Sequence, residues 1–396
     1  MKDVTCKRLC LPKIKDLYDV ISPVFVVSKI LGLAPFRFDN STRRYIPHCG
    51  SFIGIRFGMV IGLMVYVAVL VYDPNSSINI GWLALHFEIY LGTMITGIIL
   101  ILAVANQKLL IPAIESLISI DKAMKQIGIN VTYKNAQKFA YSQISFICCI
   151  FSSKLILQAF ATPKNKFVYN VFNVVDFMNT IMMFQYVDIL LLLRQRYIWL
   201  NRKIRSLSQA SYGQYHCLVV PKQCFAQENV QYIPTKKLIR CIGKLHRDLY
   251  RTAKIINRTY GVQILVTISA RFVMITTQLI NLYKTIQDPN QGSVNTYGLL
   301  GVYLFLHCSK VFMLCSIGEN TASKARDTGV YLHTLWDPDD AIKEEVNFMS
   351  LQILHQNLHF TAAGFFTLDY TLIHSIVGAV TTYMIIIIQF DVNTKN

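Results

Sequence analysis

The chain is poor in charged residues. They make up 15% of its 396 residues, whereas hydrophobic residues account for 53%. About a quarter of the residues of a soluble protein are charged, and the mean hydropathy of this chain is +0.39. This composition excludes an ordinary soluble domain and predicts a membrane protein.

Acidic residues are scarce: 22 Asp and Glu stand against 39 Lys and Arg, which gives a formal net charge of +17. Such an excess can indicate a nucleic-acid partner, but in a membrane protein it usually marks the cytoplasmic side. Segments 1–51, 106–137, 194–256 and 319–364 hold 29 of the basic residues, whereas the segments facing the other side hold 4. The positive-inside rule therefore predicts a cytoplasmic N-terminus and an extracellular C-terminus, with no nucleic-acid partner.

No cysteine falls in a predicted external loop, although the chain has ten, so a disulfide framework is not expected. His355 and His359 have the spacing of two metal ligands on a helix, but the Glu of an H-E-x-x-H motif and a third ligand are missing. We therefore expect no metal and no other cofactor. The N-terminus lacks the apolar core of a cleavable signal peptide, so the first span would act as the targeting signal.

Apolar runs long enough to cross about 30 Å of hydrocarbon occur seven times. They cover approximately residues 52–72, 82–105, 138–161, 168–193, 257–283, 296–318 and 365–390. The predicted fold is an all-α membrane protein with seven transmembrane helices. The loops on the extracellular side are short, so no external ligand-binding domain is expected.

The cytoplasmic side is larger. Its predicted parts are an N-terminal segment (1–51), helical extensions with a loop (194–256) and a region (319–364) that contains an amphipathic helix near 338–360. The other parts are transmembrane helices 1–4 (52–193), helices 5 and 6 (257–318), helix 7 (365–390) and an extracellular tail (391–396). We expect the amphipathic helix to pack against its neighbours or other subunits rather than to lie on the membrane surface.

Lys154 and Asp176 are charged residues inside the third and fourth predicted spans. These spans form a hairpin with its tip near residue 165, and each of the two residues lies 11 positions from that tip. Both residues therefore lie at a similar depth, roughly 16 Å along the helix. An ion pair would offset the cost of burying both charges. Such a pair is either structural or part of a ligand cavity.

The outer halves of the spans carry more polar side chains than an inert helix bundle needs. The candidate ligand-binding residues are His86, Glu88, Gln158, Asn173, Asp176, Asn179, Gln278, Tyr303 and His307. Aromatic residues accompany them, and aromatic walls with a few polar groups are typical of sites for small organic molecules. Any one of these residues can instead serve helix pairing.

The last span carries Thr and Gln on one helical stripe with aliphatic residues between them. The candidate pore-lining residues are Thr382, Ile385, Ile386, Gln389, Phe390 and Asp391. Several copies around an axis would form a narrow aliphatic pore in which Thr and Gln hold partly hydrated ions. Asp391 would place carboxylates at the outer mouth and favour cations, unless it is only a solvated tail residue. The aliphatic run also fits a helix that faces lipid.

The pattern Thr382-Tyr383, five hydrophobic residues and Gln389-Phe390 resembles the signature that closes the seventh span of insect gustatory receptors. The resemblance extends to residues 363–369 and 325–333. It implies a tastant-gated, non-selective cation channel, surrounded by membrane lipid in the plasma membrane of chemosensory neurons. Four identical or related subunits would place their last helices around a central pore. The extracellular half of each bundle would hold the tastant, and the cytoplasmic helices would join the subunits.

The residue that follows the Thr-Tyr pair indicates the ligand class. Sugar receptors of that family tend to have an acidic residue at this position, and this chain has Met384. The resemblance therefore favours a receptor for bitter or broadly varied small molecules. A fructose-type receptor of the same family stays open.

Other classes of membrane protein fit the sequence less well. A seven-helix G-protein-coupled receptor needs an external N-terminus, and no D-R-Y ends the third span and no N-P-x-x-Y lies in the seventh. A transporter usually has two related halves, which are not visible in this sequence. An enzyme needs a catalytic constellation that His355 and His359 alone do not supply.

Overall fold

The computed structural model of the chain describes residues 17–39, 41, 44–47, 80–161, 166–215, 235–287, 294–335 and 340–395, with a few helical positions between 56 and 66. The first predicted span, 52–72, therefore lies largely outside the described residues. In the described part, six helices are long and apolar enough to cross a membrane. The predicted all-α membrane architecture is confirmed.

The described elements are α-helices and short β-strands. In chain order they are α1 (Leu17–Ile30), β1 (Phe36–Asp39), β2 (Arg44–Pro47), α2 (Ile80–Gln126), α3 (Lys134–Ala161), α4 (Lys166–Tyr215), α5 (Thr235–Gln287), α6 (Val294–Leu332), α7 (Asp340–His355), β3 (Thr361–Ala362), β4 (Phe366–Thr367) and α8 (Tyr370–Lys395). Strands β1 and β2 form one antiparallel hairpin, and β3 and β4 form another.

Helices α2, α4, α5 and α6 continue well past their apolar runs at the same end of the bundle. The 50 residues of α4 correspond to about 75 Å at 1.5 Å per residue, more than twice the thickness of the hydrocarbon layer. Most of the Lys and Arg residues lie at this end. We call it the basic end of the bundle and the other end the opposite end.

Helix α4 is the central helix of the bundle. In its most apolar stretch 78% of the residues are buried within the chain, compared with 6% in α8. Leu190 and Leu200 on α4 are fully buried, as are Ile99 on α2, Leu249 on α5 and Leu314 on α6. The apolar stretch of α4 is less hydrophobic than that of α8. The polar side chains of α4 are costly in contact with lipid, so they favour a position where neighbouring helices supply partners.

A short hairpin formed by β3 and β4 lies between α7 and α8. Its turn contains Ala363 and Gly364, which have φ angles of 51° and 84°. Asn257 on α5 holds the hairpin through Thr361: the Thr361 amide donates to Asn257 Oδ1 at 2.9 Å, and Asn257 Nδ2 donates to Thr361 Oγ1 at 3.2 Å. The hairpin therefore fixes the entrance of α8 to α5.

Two glycines allow the hairpin and the residues after it to approach the bundle closely. A Cβ on Gly261 of α5 would lie 3.1 Å from the Ala363 nitrogen, and a Cβ on Gly318 of α6 would lie 2.7 Å from the Leu368 oxygen. The approach at Gly318 leaves no room for a Cβ, and a Cβ on Gly261 would require the hairpin backbone to shift by a few tenths of an ångström. Asp369 then begins α8, since its Oδ1 accepts the Thr371 amide at 2.9 Å as an N-cap.

Three boundaries differ from the sequence prediction. The last helix begins at Tyr370 instead of about 365, because residues 361–367 form the hairpin, and it continues to Lys395. Asp391 therefore belongs to α8 rather than to a separate tail, and its side chain lies outside the described residues. The amphipathic helix covers Asp340–His355, so His359 lies beyond its end and the two histidines do not share one helical face.

The close approach at Gly318 predicts a large difference between two glycine substitutions in α6. Gly318→Ala would push a methyl group against the Leu368 backbone and should lower the unfolding free energy by about 1–3 kcal/mol. Gly301→Ala is the matched control, because nothing lies within 4 Å of its Cβ position. Thermal unfolding of the detergent-solubilised protein measures both. Equal stability of the two variants would contradict the tight contact.

Candidate functional site: a buried charged network

Asp176 on α4 is the centre of a buried cluster of charges. Its Oδ2 accepts a hydrogen bond from Lys154 Nζ on α3 at 3.2 Å. Its Oδ1 accepts from Arg271 Nη1 on α5 at 2.9 Å and from Lys310 Nζ on α6 at 2.8 Å. All four side chains are at most 5% exposed. One carboxylate thus joins four helices at one level of the bundle.

The predicted pairing of Lys154 with Asp176 is confirmed. The sequence analysis did not assign Arg271 or Lys310 to the site, although both are charged residues inside apolar runs. Buried charges are stable only when they are paired and hydrogen-bonded. That rule could have indicated that these two cations share the same carboxylate.

Glu88 on α2 extends the network on the far side of Arg271. Gln278 Nε2 on α5 donates to both oxygens of Glu88, at 3.2 and 3.0 Å. His307 on α6 lies between the two groups: its Nδ1 is 3.1 Å from Arg271 Nη1, and its Nε2 is 3.9 Å from Glu88 Oε1. Because an arginine can only donate, Nδ1 must accept. The proton of a neutral His307 ring is therefore on Nε2, facing Glu88.

Amide and aromatic side chains continue the network towards α3. Asn173 donates to Gln158, and the Tyr303 hydroxyl lies 3.5 Å from Asn173 Oδ1. The Tyr303 ring stacks on His307 with centroids 6.3 Å apart, and Lys154 Nζ is 4.2 Å from the centre of the Tyr303 ring. Tyr303 therefore links the charged groups to the amide pair.

The structure brings most of the candidate ligand-binding residues together. The buried ones are Glu88, Gln158, Asn173, Asp176, Asn179, Gln278, Tyr303 and His307. All of these except Asn179 belong to the charged network, whereas Asn179 accepts a hydrogen bond from Thr96 at 3.1 Å. The side chain of His86 lies outside the described residues.

A groove of about 500 Å³ opens beside the network between α3 and α4. Its walls include Phe151, Leu155 and Phe177, and Gln158 and Asn173 supply its polar groups. Sites for small organic molecules typically have volumes of about 300–1,000 Å³ and this mixture of apolar walls with a few polar groups. A molecule in the groove would contact the amide end of the network.

Helix α8 packs against α5 and α6 on one side only. Val380 is buried there, and the rings of Tyr383 and Phe272 are 5.9 Å apart. The candidate pore-lining residues Thr382, Ile385, Ile386, Gln389 and Phe390 are all exposed in the isolated chain. Thr382, Ile385, Ile386 and Gln389 form a face of α8 that no described part of the same chain covers.

The chain is similar to known proteins in sequence and in fold. The profile of the 7tm chemosensory receptor family matches residues 21–394. Gustatory receptor 28b from Drosophila melanogaster is 23% identical over 96% of this chain and 87% of that protein. The gustatory receptor for bitter taste 66a from the same species is 28% identical over 37% of this chain and 29% of that protein. The structure of the insect olfactory receptor OR5 from Machilis hrabei has a TM-score of 0.62 and 13% identity, covering 94% of this chain and 98% of that one.

The shared carboxylate predicts that Asp176→Asn is severely destabilising. The substitution leaves three buried cations without their common anion, and breaking a buried ion pair costs about 3–5 kcal/mol. Asp327→Asn on α6 is the control, because Asp327 pairs with Lys324 at 2.8 Å on a half-exposed surface and such pairs contribute about 1 kcal/mol or less. Surface level and thermal stability should fall sharply only for Asp176→Asn. Wild-type values for this variant would show that the network is dispensable for folding.

Proposed function

The chain belongs to the 7tm chemosensory receptor family, and we propose that it is a gustatory receptor that works as a tastant-gated, non-selective cation channel. Family membership confirms the resemblance found in the last span, and it makes the chain a multi-pass membrane receptor rather than a member of an enzyme family. Three parts of the proposal go beyond family membership: the cation channel, its tastant and its assembly from subunits.

The exposed face of α8 carries the channel proposal. Gln389 and Thr382 are exposed on this face, and no other described residue hydrogen-bonds the Gln389 carboxamide. A carboxamide that faces hydrocarbon is costly, so this face is better suited to water or to other subunits. Four copies of α8 around an axis would place aliphatic rings at Ile385 and Ile386, which can gate by dewetting. Asp391 would lie at the outer mouth, where a ring of carboxylates favours cations.

The groove between α3 and α4 is the proposed tastant site, and the charged network connects it to α8. Arg271 of the network is followed on α5 by Phe272, which contacts Tyr383 on α8. Lys310 of the network is followed on α6 by Val311, which belongs to the same apolar cluster as Val380. A ligand that displaces the network would therefore move the two helices on which α8 rests.

Topology and relatives support the rest of the proposal. The excess of Lys and Arg supports a cytoplasmic basic end, and the groove would then lie in the outer half of the plasma membrane. Similarity to a bitter-taste receptor and Met384 after the Thr-Tyr pair favour bitter or varied small molecules over sugars.

Epitope tags at the two termini, probed on intact cells, test the orientation: only the C-terminal tag should be accessible, and an accessible N-terminal tag would favour a G-protein-coupled receptor.

The pore proposal predicts that Gln389→Ala and Ile386→Ala change ion permeation without lowering the surface level. Loss of a polar interaction of roughly 1 kcal/mol corresponds to about a fivefold change in rate, so conductance or block should change by about that factor for Gln389→Ala. Val380→Ala, on the face of α8 that packs against the same chain, should leave permeability ratios unchanged. Whole-cell recording during a screen of bitter compounds and sugars measures these effects. Normal permeation in both pore variants would reject the pore role.

The tastant-site proposal predicts a shift in dose response for Asn173→Ala. Removing its amide from the groove should raise the half-maximal agonist concentration by about five- to tenfold, as expected for one hydrogen bond. His307→Ala should also shift it through the network. Ile156→Ala on α3, which is 59% exposed and does not line the groove, should leave the dose response unchanged. Unshifted curves for both Asn173→Ala and His307→Ala would place the tastant elsewhere.

A further inference from the structure

A polar cavity, separate from the groove between α3 and α4, lies at the basic end of the bundle, away from the charged network. It has a volume of about 430 Å³ and lies between the connection from α2 to α3 and the extension of α4. Asn130 and Thr132 line one side, and Trp199, Arg202 and Lys203 line the other. No acidic side chain is among its described lining residues, so the cavity presents only positive and neutral groups.

The two cations of this cavity lack partners of the kind that Arg196 and Arg205 of α4 have. Arg196 pairs with Asp121 at 2.6 Å, and Arg205 lies 5.3 Å from the centre of the Tyr331 ring. Within the described ranges, neither the Arg202 nor the Lys203 side chain has an ion pair or a hydrogen bond. Both side chains line the cavity, and its other described lining residues are neutral, so the cavity is complementary to an anion.

Lys203 lies beside Gly128 at the edge of the cavity. Gly128 ends α2 with a φ angle of 76°, and its amide donates to the Lys125 oxygen at 3.0 Å, as expected of a left-handed helix cap. Lys203 Nζ lies 3.6 Å from the position that a Cβ on Gly128 would occupy. The ammonium group is therefore held against the backbone of the connection, at the edge of the cavity.

Side-chain contacts connect the two walls of the cavity. Asp121 accepts hydrogen bonds from Arg196 and from the Tyr133 hydroxyl, and Trp199 packs edge-on against the Tyr133 ring with centroids 6.5 Å apart. These contacts fix the α2–α3 connection to α4 on both sides of the cavity. A pre-formed site loses less free energy on binding than one that must be ordered.

We infer that this cavity is a binding site for a phosphorylated polyol, either as the headgroup of a membrane lipid or as a soluble molecule. A phosphate presents several strong acceptors to Arg and Lys, and the volume suits a ring that carries such groups. Arg202 lies nine residues beyond the end of the fourth apolar run at 193, or about 14 Å, which is about 7 Å beyond the headgroup layer. A lipid ligand would therefore need a headgroup that projects from the membrane surface. Cytoplasmic access to such ligands rests on the orientation given under the proposed function.

Binding to the purified full-length receptor in detergent tests the site directly. In one arm, inositol 1,4,5-trisphosphate is added to the receptor in detergent. In the other arm, the receptor is in nanodiscs, and vesicles of phosphatidylcholine with or without phosphatidylinositol 4,5-bisphosphate are added. The test variant is Arg202→Gln with Lys203→Gln. The control is Lys244→Gln with Arg251→Gln, which removes the same charge from exposed positions on α5 outside the cavity.

We expect the test variant to weaken binding at least about tenfold, since each charge-assisted hydrogen bond contributes about 1.5–3 kcal/mol, and the control to remain within about twofold of wild type. Binding of only the soluble probe would assign a soluble ligand, and binding of only the lipid vesicles would assign a lipid headgroup. An equal loss in both variants, or no binding of either probe, would overturn the site. No tastant or current is involved, so failure here is distinguishable from failure of the channel proposal.

Discussion

The structure depends on one carboxylate in the apolar interior. Asp176 pairs with Lys154, Arg271 and Lys310, so cations from three helices converge on the central helix α4. Each of these charges is costly in an apolar environment and becomes tolerable only through this shared geometry. The constraint fixes the relative height and rotation of α3, α4, α5 and α6. It also explains how α4 can be both the most deeply buried helix and a carrier of polar residues.

The same constraint links two surfaces that lie on different sides of the bundle. The amide end of the network borders the groove between α3 and α4, while Arg271 and Lys310 are each followed by a residue that packs against α8. At its N-terminal end, α8 is held by the β3–β4 hairpin, through the Asn257–Thr361 hydrogen bonds and the close contact at Gly318. In the proposed channel, a fixed entrance and an exposed outer face would allow α8 to respond to α5 and α6 by rotating or tilting.

Sequence reasoning predicted the features that depend on local pattern or on a simple hairpin. The apolar runs predicted the membrane-spanning helices. The equal distances of Lys154 and Asp176 from one hairpin tip predicted their ion pair. Arg271 and Lys310 could not be placed in this way, because the long segment 194–256 separates their helices from α4 and hides their relative depth. The predicted start of α8 was wrong. Phe365 and Phe366 extend the apolar run in the sequence, but Ala363 and Gly364 form a turn there in the structure. No sequence pattern pairs Asn257 with Thr361, and only the fold brings these two residues together.

The central claim is that a ligand acting on the Asp176 network changes the exposed face of α8 inside a conducting pore. The most direct measurement is the rate at which a positively charged thiol reagent modifies Gln389→Cys during recording, with and without an agonist. The account predicts that modification blocks the current and that the agonist accelerates it, with the acceleration reduced when Phe272→Ala is added. Modification that leaves the current intact, or proceeds at one rate with and without agonist, would contradict it.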